Sequence, residues 1–488
     1  MKIGVSGAAL YVPRACVDLA AWCDWTDNSW GKISAVVGRS FRMPESDESV
    51  YTMAATAALR LILRYDIDPR RVGFLALGTE SSTDNSAGAI IIRGMLDEAL
   101  RDHGLPTLPR NCEVPEVKHA CLGGVYAQKA AIRWLALDGA GRQAIVIAAD
   151  TAEYERASSG EPTQGAGAVA LLLEEDPALY TIDLHRSGGS SAYRGADFRK
   201  PTRRFLDGDY TEKTSRIHDF PVFSGPYSTS CYIDACVHAA DDLMARTGER
   251  HTALYRRLDG IFLHRPYRRM PDNAVAALYL WGLSRDEVDL PELTALCEGA
   301  GVSVAAACAE MRSAPDLFKH TAQGRNAESA YPVSMVLIRA FRRTPAFAAL
   351  AQRMTLGADL MMDLGNLYTA SLPAWIAAGF VEAVEQGVAL AGAEFLTMGY
   401  GSGDAAEAAI ITVQPGWQAA AARINFRDAL ADRVVLQQAQ YETLHDEGAA
   451  ELDGVSSARF CIERIGRTHE PAFQDVGVEY YRYTVSSR

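Results

Sequence analysis

The sequence predicts an α/β protein built from a duplicated unit. Short apolar runs that are β-branched or bounded by glycine alternate with longer alanine-rich helical patterns, which is the order of elements in α/β folds. The alternation occurs in two blocks, although no internal repeat can be aligned by eye. A length of 488 residues with a hydrophobic fraction of 48% allows a large buried core.

Strand-like and helical segments follow one another in order along the chain. The strand-like segments are residues 2–6, 72–77, 143–148, 166–173, 260–263, 394–400 and 409–413. The segments with helical periodicity are residues 50–64, 87–101, 122–137, 231–246 and 371–388. Each block therefore holds strands followed by helices whose first turns are rich in small residues.

The same pattern divides the chain into three parts. We expect an N-terminal half over residues 1–176, a C-terminal half over 177–415 and an extension over 416–488. Charged stretches at 196–222 and 284–330 are interpreted as insertions in the second half. The extension carries a charged helical pattern and then the strand-like runs RFCIERI and EYYRYTV, which predicts a hairpin packed on the core.

Composition and charge argue against several function classes. The chain has 48 Lys and Arg against 61 Asp and Glu, a net charge of −13, which does not favour nucleic acid or an anionic membrane. The nine cysteines are an odd and thinly spread set without zinc spacing, so we expect a reducing compartment and no metal. No signal sequence or long apolar run is evident, and the expected address is the cytoplasm.

The most specific chemical signal in the sequence is Cys121, which lies in HACLGG directly before the helical segment 122–137. Unpaired N–H groups and the helix dipole favour a thiolate at a helix N-terminus, which would lower the thiol pKa and activate the sulfur as a nucleophile. Gly123 and Gly124 leave room for a substrate. The alternative is a buried structural cysteine at a tight turn.

Two other segments place polar groups at the ends of predicted strands, where α/β folds bind ligands. Glu80 follows one strand in GTESSTDNS, and His264 follows another in FLHRPYRRM. A nucleophilic cysteine needs an acid or base, and Glu80 is the first candidate. Taken singly, a solvated loop acid and a structural histidine are the more common cases. The arginines behind His264 meet either a phosphate or water.

Glycine-rich segments complete the set of candidate site residues. Asn366 precedes a helix in GNLYTASL, and Ser402 lies between glycines in YGSG at a strand end. Backbone N–H groups in such a turn can form an oxyanion hole. Neither segment matches a dinucleotide-binding or Walker loop, so we expect no NAD or ATP site.

Taken together, these motifs resemble the hydroxymethylglutaryl-CoA synthase family, a branch of the thiolase superfamily. The matching segments, in chain order, are KIGVSGAALYVP, GTESSTDNS, HACLGG, AADTAEY, SGEPTQGAGAVALLL, DFRKP, VFSGPYSTSCYIDA, LHRPY, GNLYTASL and YGSG. The most specific are SGEPTQGAGAVA and GNLYTASL. The resemblance implies a thiolase-like fold with duplicated αβαβα layers.

The resemblance also implies a role for each matched residue. Cys121 is the acetyl-accepting nucleophile, Glu80 the general acid/base, and His264 the group that positions the carbonyl of the second substrate. Asn366 helps to hold the acyl acceptor, and the backbone N–H groups of Cys121 and Ser402 bind the thioester oxygen. The other expected substrate-binding residues are Asp150, Tyr154, Thr163, Tyr267 and Arg269.

Three positions bear on how closely the chain follows the family pattern. Arg269 lies near a family lysine that meets the CoA phosphate, and an arginine can serve there with different geometry. The chain departs from the family at Leu122 and Arg265, where an aromatic residue, threonine or glycine is frequent.

The implied reaction condenses the acetyl group on Cys121 with an acetoacetyl thioester to give a 3-hydroxy-3-methylglutaryl thioester, as in the mevalonate pathway. Acetyl-CoA and acetoacetyl-CoA are the expected substrates, no other cofactor is expected, and the protein is expected to be a homodimer. One alternative is the acyl carrier protein version of this synthase in polyketide biosynthesis. Another is a catalytically silent scaffold homologue.

Overall fold

The fold is described from a computed structural model of the protein. The described residues are 2–201, 219–450, 452 and 457–484. In chain order the strands are β1 Ile3–Tyr11, β2 Ala15–Asp18, β3 Ser40–Met43, β4 Val72–Gly78, β5 Glu116–Val117, β6 Gln143–Ala152, β7 Gly165–Glu175, β8 Tyr180–Ser191, β9 Gly260–Leu263, β10 Glu394–Gly401, β11 Ala405–Val413, β12 Val434–Val435, β13 Arg459–Ile465, β14 His469–Glu470, β15 Phe473–Gln474 and β16 Glu479–Thr484.

Helices cover the intervening segments. They are α1 Leu19–Thr26, α2 Trp30–Val36, α3 Val50–Arg64, α4 Gly88–Asp102, α5 Gly123–Ala136, α6 Gly225–Thr247, α7 His251–Arg257, α8 Met270–Arg285, α9 Leu290–Ala300, α10 Val304–Arg312, α11 Leu317–Ala322, α12 Pro332–Phe341, α13 Pro345–Gln352, α14 Ser371–Gln386, α15 Trp417–Ala421, α16 Phe426–Ala431 and α17 Gln438–Glu447. In the part of the chain described, no single helix has the length and apolarity to cross a membrane, while the bent pair α9 and α10 passes that test by length and composition.

A mixed sheet of nine strands forms the centre of the described structure, in the order β5-β4-β6-β7-β1-β8-β11-β10-β9. Strands β4 and β6 are parallel, as are β9 and β10, and the central pairs β6–β7, β1–β7 and β8–β11 are antiparallel. Strands from the first block occupy one side of the sheet and strands from the second block the other. The predicted α/β fold class is confirmed, while the division into two related halves stays a prediction.

Helix α5 lies between strands of the two halves. At its start, Gly124 packs against the side chain of Ala148 in β6, while Leu122 and Val125 pack against Gly399 in β10. The absence of a side chain at Gly124 and Gly399 permits these close approaches. The start of α5 is therefore held against the carboxyl ends of strands from both halves.

Helix α3 illustrates how local sequence sets an element boundary. Its bounds match the predicted segment 50–64, because Ser49 and Thr52 form a reciprocal capping box at the N-terminus. Its apolar face joins α4 in a core that covers one face of β4, β6 and β7. The backbone N–H of Phe460 in β13 donates to Thr56 Oγ1 at 3.0 Å, so the C-terminal strands also pack on this helix.

Some elements differ from the sequence prediction. Strand β8 was not predicted because its residues are mostly polar and half-exposed, although it completes the sheet between β1 and β11. The segment 284–330 forms helices whose Leu293, Cys297 and Met311 are buried in the main core. Of the other predicted insertion, residues 202–218 lie outside the described structure.

Candidate active site

The turn that carries Cys121 is built by its neighbours in sequence. Ala120 has a positive φ of 42°, and the N–H of Leu122 donates to the carbonyl of His119 at 2.9 Å. Helix α5 begins two residues later at Gly123. The thiol is thus held just before a helix, as the sequence predicts, and Cys121 is buried with 6% exposure.

A close contact between β4 and α5 brings Glu80 to this turn. A Cβ atom on Gly78, the last residue of β4, would lie 2.4 Å from the backbone nitrogen of Gly124, so only glycine fits there. The chain leaves β4 beside the start of α5, and Glu80 follows two residues later. Its Oε2 lies 3.9 Å from Cys121 Sγ, and the thiol donates to this carboxylate.

Asp150 holds the loop of Glu80 in place. Its Oδ1 accepts hydrogen bonds from the Thr79 hydroxyl at 2.8 Å, the Glu80 N–H at 2.8 Å and the Ser81 hydroxyl at 2.8 Å. Its Oδ2 accepts from the N–H of Thr369 at 3.1 Å. Asp150 has no exposed surface, and its carboxylate joins two loops. Its expected contact with substrate stays a prediction.

Cys121 opens into a cavity of about 330 Å³. The predicted site residues that line it are Cys121, Tyr154, Thr163, His264, Tyr267, Asn366 and Ser402. Glu80 meets the thiol from outside this cavity and lines a second, polar one. Arg269 lines neither of these cavities but a third one, of about 840 Å³.

Aromatic residues in the quoted motifs pack around Cys121, although the sequence analysis assigned no role to Tyr368, Phe198 or Phe223. Tyr368 in GNLYTASL is buried with a φ of 44° and packs edge-on against Tyr154, with ring centres 6.3 Å apart. Phe198 and Phe223 pack against the same Tyr154 ring. These side chains make the pocket beside Cys121 apolar. All three residues stand in motifs that match the family, and this position in the sequence is the signal by which they could have been identified.

The amide of Asn366 is oriented by neighbours on its own segment. Its Oδ1 accepts from the N–H of Tyr368 at 2.9 Å and from the hydroxyl of Ser371 at 3.3 Å. Its Nδ2 therefore points the other way and donates to the Tyr154 hydroxyl at 3.5 Å. Asn366 thus presents a donor to the cavity in a fixed direction.

Burial shifts the pKa values of the two acidic groups at the turn. Desolvation and the nearby charge of Asp150 raise the pKa of the Glu80 carboxyl. Desolvation, together with Glu80 and Asp150, raises the pKa of the Cys121 thiol. The expectation of a lowered thiol pKa is therefore wrong, because burial beside two carboxylates outweighs the helix terminus.

The pKa of His264 shifts in the opposite direction, because the protonated form of imidazole is the charged form and burial disfavours charge. Burial lowers the pKa of its imidazole to about 3, so the ring is neutral at physiological pH. Its backbone N–H donates to Met398 in β10 at 2.7 Å, and its carbonyl accepts from the Tyr232 hydroxyl at 3.2 Å. A neutral imidazole carries one donor and one acceptor, which suits it to hydrogen bonding with a carbonyl group.

One group of described side chains has the composition of a metal site. Donor atoms of Asp197, Cys231 and Asp404 lie within 4.8 Å of one another. The guanidinium of Arg194 already pairs with Asp404 at 3.3 Å and with Asp234, which opposes a second cation at this position. The expectation that the protein holds no metal stays a prediction.

Comparisons with known proteins point to one family. Residues 1–178 match the family model described as hydroxymethylglutaryl-coenzyme A synthase N terminal. A hydroxymethylglutaryl-CoA synthase from Haloferax volcanii is 28% identical over 89% of both chains. The synthase erg13B from Aspergillus fumigatus is 32% identical over 49% of this chain, and that alignment spans 48% of the relative.

Structural comparison extends the similarity over the whole chain. The solved structure of MvaS in complex with 3-hydroxy-3-methylglutaryl coenzyme A is 26% identical and covers 99% of both chains, with a TM-score of 0.73. The fold is thus that of the thiolase superfamily, with the layered α/β halves described above.

Proposed function

Because this chain belongs to the hydroxymethylglutaryl-CoA synthase family, we propose that it joins an acetyl group to an acetoacetyl thioester to form a 3-hydroxy-3-methylglutaryl thioester. The observation that carries the proposal is the placement of Cys121 Sγ 3.9 Å from Glu80 Oε2, at a cavity that His264 also lines. A nucleophile, an acid/base and a carbonyl-binding group are the parts that this condensation requires.

The first step transfers the acetyl group to Cys121. Glu80 accepts the thiol proton as the sulfur attacks the acetyl-CoA carbonyl, and it passes this proton to the CoA sulfur as the tetrahedral intermediate expels CoA, which leaves Glu80 ionised. The raised thiol pKa means that the proton leaves during attack, assisted by the adjacent carboxylate, instead of before substrate binds.

Condensation and release use the same groups. Ionised Glu80 removes a proton from the acetyl methyl group, and the resulting carbanion equivalent attacks the β-keto carbon of the acceptor, which a hydrogen bond from His264 positions. The new alkoxide takes the proton back from Glu80. Water then hydrolyses the thioester, which restores the thiol and frees the product acid.

Negative charge on the thioester oxygen develops in each of these steps. We assign its stabilisation to the backbone N–H groups of Cys121 and Ser402, both at the cavity wall. Loss of one such donor typically costs a barrier increase of about 3 kcal/mol. The raised pKa of Glu80 supports its role, because a stronger base removes a weakly acidic methyl proton more readily.

The alternatives are less well supported. A solved structure that is 26% identical to this chain is in complex with 3-hydroxy-3-methylglutaryl coenzyme A, which favours the CoA reaction over the carrier-protein version. A silent scaffold has no need for Cys121, Glu80 and His264 to converge from three loops.

The same proposal covers cofactor use, assembly and location. The site is proposed to need no cofactor beyond the two thioesters, since the residues above supply the nucleophile and the proton transfers.

A homodimer follows from the family resemblance, and sedimentation at twice the mass of the chain would support it. A cytoplasmic address is proposed from the odd and thinly spread set of nine cysteines.

A mass-spectrometric assay tests the reaction. Protein incubated with acetyl-CoA alone should gain about 42 mass units, as expected for one acylated nucleophile, on the peptide that contains Cys121. Addition of acetoacetyl-CoA should then remove the adduct and release the six-carbon product. An acetyl group on another cysteine, or none in the wild type, would refute the proposal, and Cys121→Ser is the matched control.

A further inference from the structure

The tip of the hairpin between β10 and β11 carries Ser402, whose N–H we assign to the thioester oxygen. Ser402 follows directly on Gly401, the last residue of β10. Gly401 packs against the turn that holds Cys121, since a Cβ atom on Gly401 would lie 2.7 Å from the carbonyl oxygen of His119. The hairpin tip and the nucleophile are therefore side by side.

The backbone of this tip has little stiffness of its own. Ser402 is flanked by Gly401 and Gly403, and glycine loses more conformational freedom on folding than any other residue. Gly403 has a φ of 117°, a conformation that favours glycine, and no described atom lies within 4 Å of a Cβ built there. The direction of the Ser402 N–H must therefore be set by groups outside the two glycines.

Asp404 anchors the tip at its far end. Its backbone pairs with Ala192, donating to the carbonyl at 2.8 Å and accepting from the N–H at 3.0 Å. Its side-chain Oδ1 accepts from the hydroxyl of Tyr400 at 2.9 Å and from the N–H of Gly403. The Asp404 carboxylate thus holds residues on both sides of Ser402.

Arg194 in turn fixes the carboxylate of Asp404. Its Nε donates to Asp404 Oδ2 at 3.3 Å, and its backbone N–H donates to the carbonyl of Gly403 at 3.2 Å. Its Nη2 pairs with Asp234 of α6, whose Oδ1 accepts from the hydroxyl of Tyr331 at 2.6 Å. Arg194 and Asp404 are buried, with 7% and 4% exposure. One buried ion pair therefore ties the tip to α6 and to the start of α12.

This ion pair is a poor source of stability. Taking two charges out of water costs about as much as their attraction returns. Burial and the neighbouring Asp197 raise the pKa of Asp404 to about 7, which reflects this cost. A charged hydrogen bond does, however, hold its partners in one geometry. The pair of Arg194 and Asp404 is therefore better explained by the direction it imposes on the tip.

We infer that Arg194 and Asp404 are positioning residues that direct the N–H of Ser402 at the thioester oxygen on Cys121. The inference deepens the proposed function and rests on it. Neither Arg194 nor Asp404 lines the cavity of Cys121, so both act through the hairpin tip. Loss of the pair should therefore slow the chemical steps and leave the binding of acetyl-CoA unchanged.

Single-turnover acetylation of Cys121 tests the inference. We expect Asp404→Leu to lower the maximal rate by about 10-fold or more, since removal of one oxyanion donor typically costs about 10²–10³-fold. The acetyl-CoA concentration for half-maximal rate should not change. Asp404→Asn should lose less rate, because its amide oxygen still accepts from Tyr400 and Gly403. If Asp404→Leu does not fold, the rate of Asp404→Asn decides the question.

Infrared spectra of acetylated Cys121 give a readout that a purely structural defect would not move. A hydrogen bond to a carbonyl oxygen lowers the stretching frequency of that carbonyl. An acetyl group isotopically labelled at its carbonyl carbon should therefore absorb at higher frequency in Asp404→Leu than in the wild type. Arg194→Met should shift the band in the same direction, because it removes the other member of the pair.

Asp289→Leu is the matched control, because Asp289 is also a buried carboxylate held by an arginine and a hydroxyl. Its Oδ2 accepts from Arg250 at 3.0 Å and from Thr252 at 2.6 Å, directly before α9. This variant should lower Tm, since it leaves polar partners unsatisfied, but keep the wild-type rate and carbonyl band. A wild-type rate and band in Asp404→Leu would overturn the inference, and so would an equal loss of rate in Asp289→Leu.

Hydrogen exchange separates the inference from the reaction itself, because it needs no substrate. Backbone amides of the tip, residues 402–404, should exchange faster in Asp404→Leu than in the wild type, and at the wild-type rate in Asp289→Leu. If the tip responds in this way but Cys121 of the wild type is never acetylated, the proposed function fails while the anchoring of the tip stands. If acetylation occurs and the tip does not respond, the positioning role is refuted.

Discussion

The sulfur of Cys121 lies 3.9 Å from Oε2 of Glu80, and the thiol hydrogen is directed to that carboxylate. The contact joins the start of α5 to the loop that follows β4. It depends on the close approach of Gly78 to Gly124 and on the hydrogen bonds of Asp150 to the Glu80 loop. Backbone packing and the hydrogen bonds of Asp150 therefore hold Cys121 and Glu80 in place without using the side chain of either residue.

The first prediction concerns the reactivity of the thiol in Glu80→Gln. The Glu80 charge raises the pKa of the Cys121 thiol, so its removal should lower that pKa. At alkaline pH, where Glu80 of the wild type is ionised, iodoacetamide should alkylate Cys121 several-fold faster in the variant. Condensation with acetoacetyl-CoA should be slower by about 10²–10⁴, the usual contribution of a general base. Normal condensation in the variant would remove Glu80 from the mechanism.

The same variant should also change how stability depends on pH. The Glu80 pKa is raised in the folded protein, so the folded state holds this proton more tightly than the unfolded state. Stability is therefore lost as pH rises from the unfolded pKa of about 4.3 through the folded value. Glu80→Gln should be more stable than the wild type at pH 8, by about 1–3 kcal/mol.

Urea unfolding at pH 4 and pH 8 measures this effect. The difference between variant and wild type should become small near pH 4, where the carboxyl is mostly protonated in both states. Equal stability at pH 8 would show that burial does not disfavour the Glu80 charge. Asp84→Asn, on the same loop, provides a comparison for general loop effects.

A third prediction concerns His264. Because burial lowers its pKa to about 3, the imidazole should show no titration between pH 5 and 9 in NMR spectra of the labelled ring. His264→Ala should raise the KM for acetoacetyl-CoA by about 10-fold or more while leaving acetylation of Cys121 intact, as loss of one hydrogen bond to the acceptor predicts. A midpoint near 6.5 would contradict the buried, neutral ring.

The fourth prediction tests the contact that places the nucleophile. A methyl group at Gly78 would meet the backbone of Gly124 at 2.4 Å, so Gly78→Ala should destabilise the protein by about 1–3 kcal/mol and slow acetylation. Gly94→Ala is the control, because that exposed position within α4 has no atom within 4 Å of the added carbon. It should be stabilising by about 0.5–1 kcal/mol. If Gly78→Ala and Gly94→Ala changed the free energy of unfolding equally in denaturant, the close contact between Gly78 and Gly124 would be contradicted.

Much of the fold was predictable where local pattern and tertiary environment agree. Helix α3 has the predicted bounds 50–64, which its capping residues mark. Strand β9 has the predicted bounds 260–263, which its apolar run marks. Strand β8 was missed because its polar residues carry no apolar signal, and its place in the sheet comes from pairing with β11. The helices at 284–330 bury only a few side chains each, which the sequence does not distinguish from a charged surface.

From the amino-acid sequence alone one can name the candidate catalytic side chains and place them at strand ends and at the start of a helix. Their ionisation and their neighbours depend on the folded chain. The pKa of Cys121 depends on desolvation and on Glu80 and Asp150, which are distant in the chain, and these outweigh the local helix terminus. The same reason applies to His264, whose imidazole is kept neutral by a burial that folding imposes.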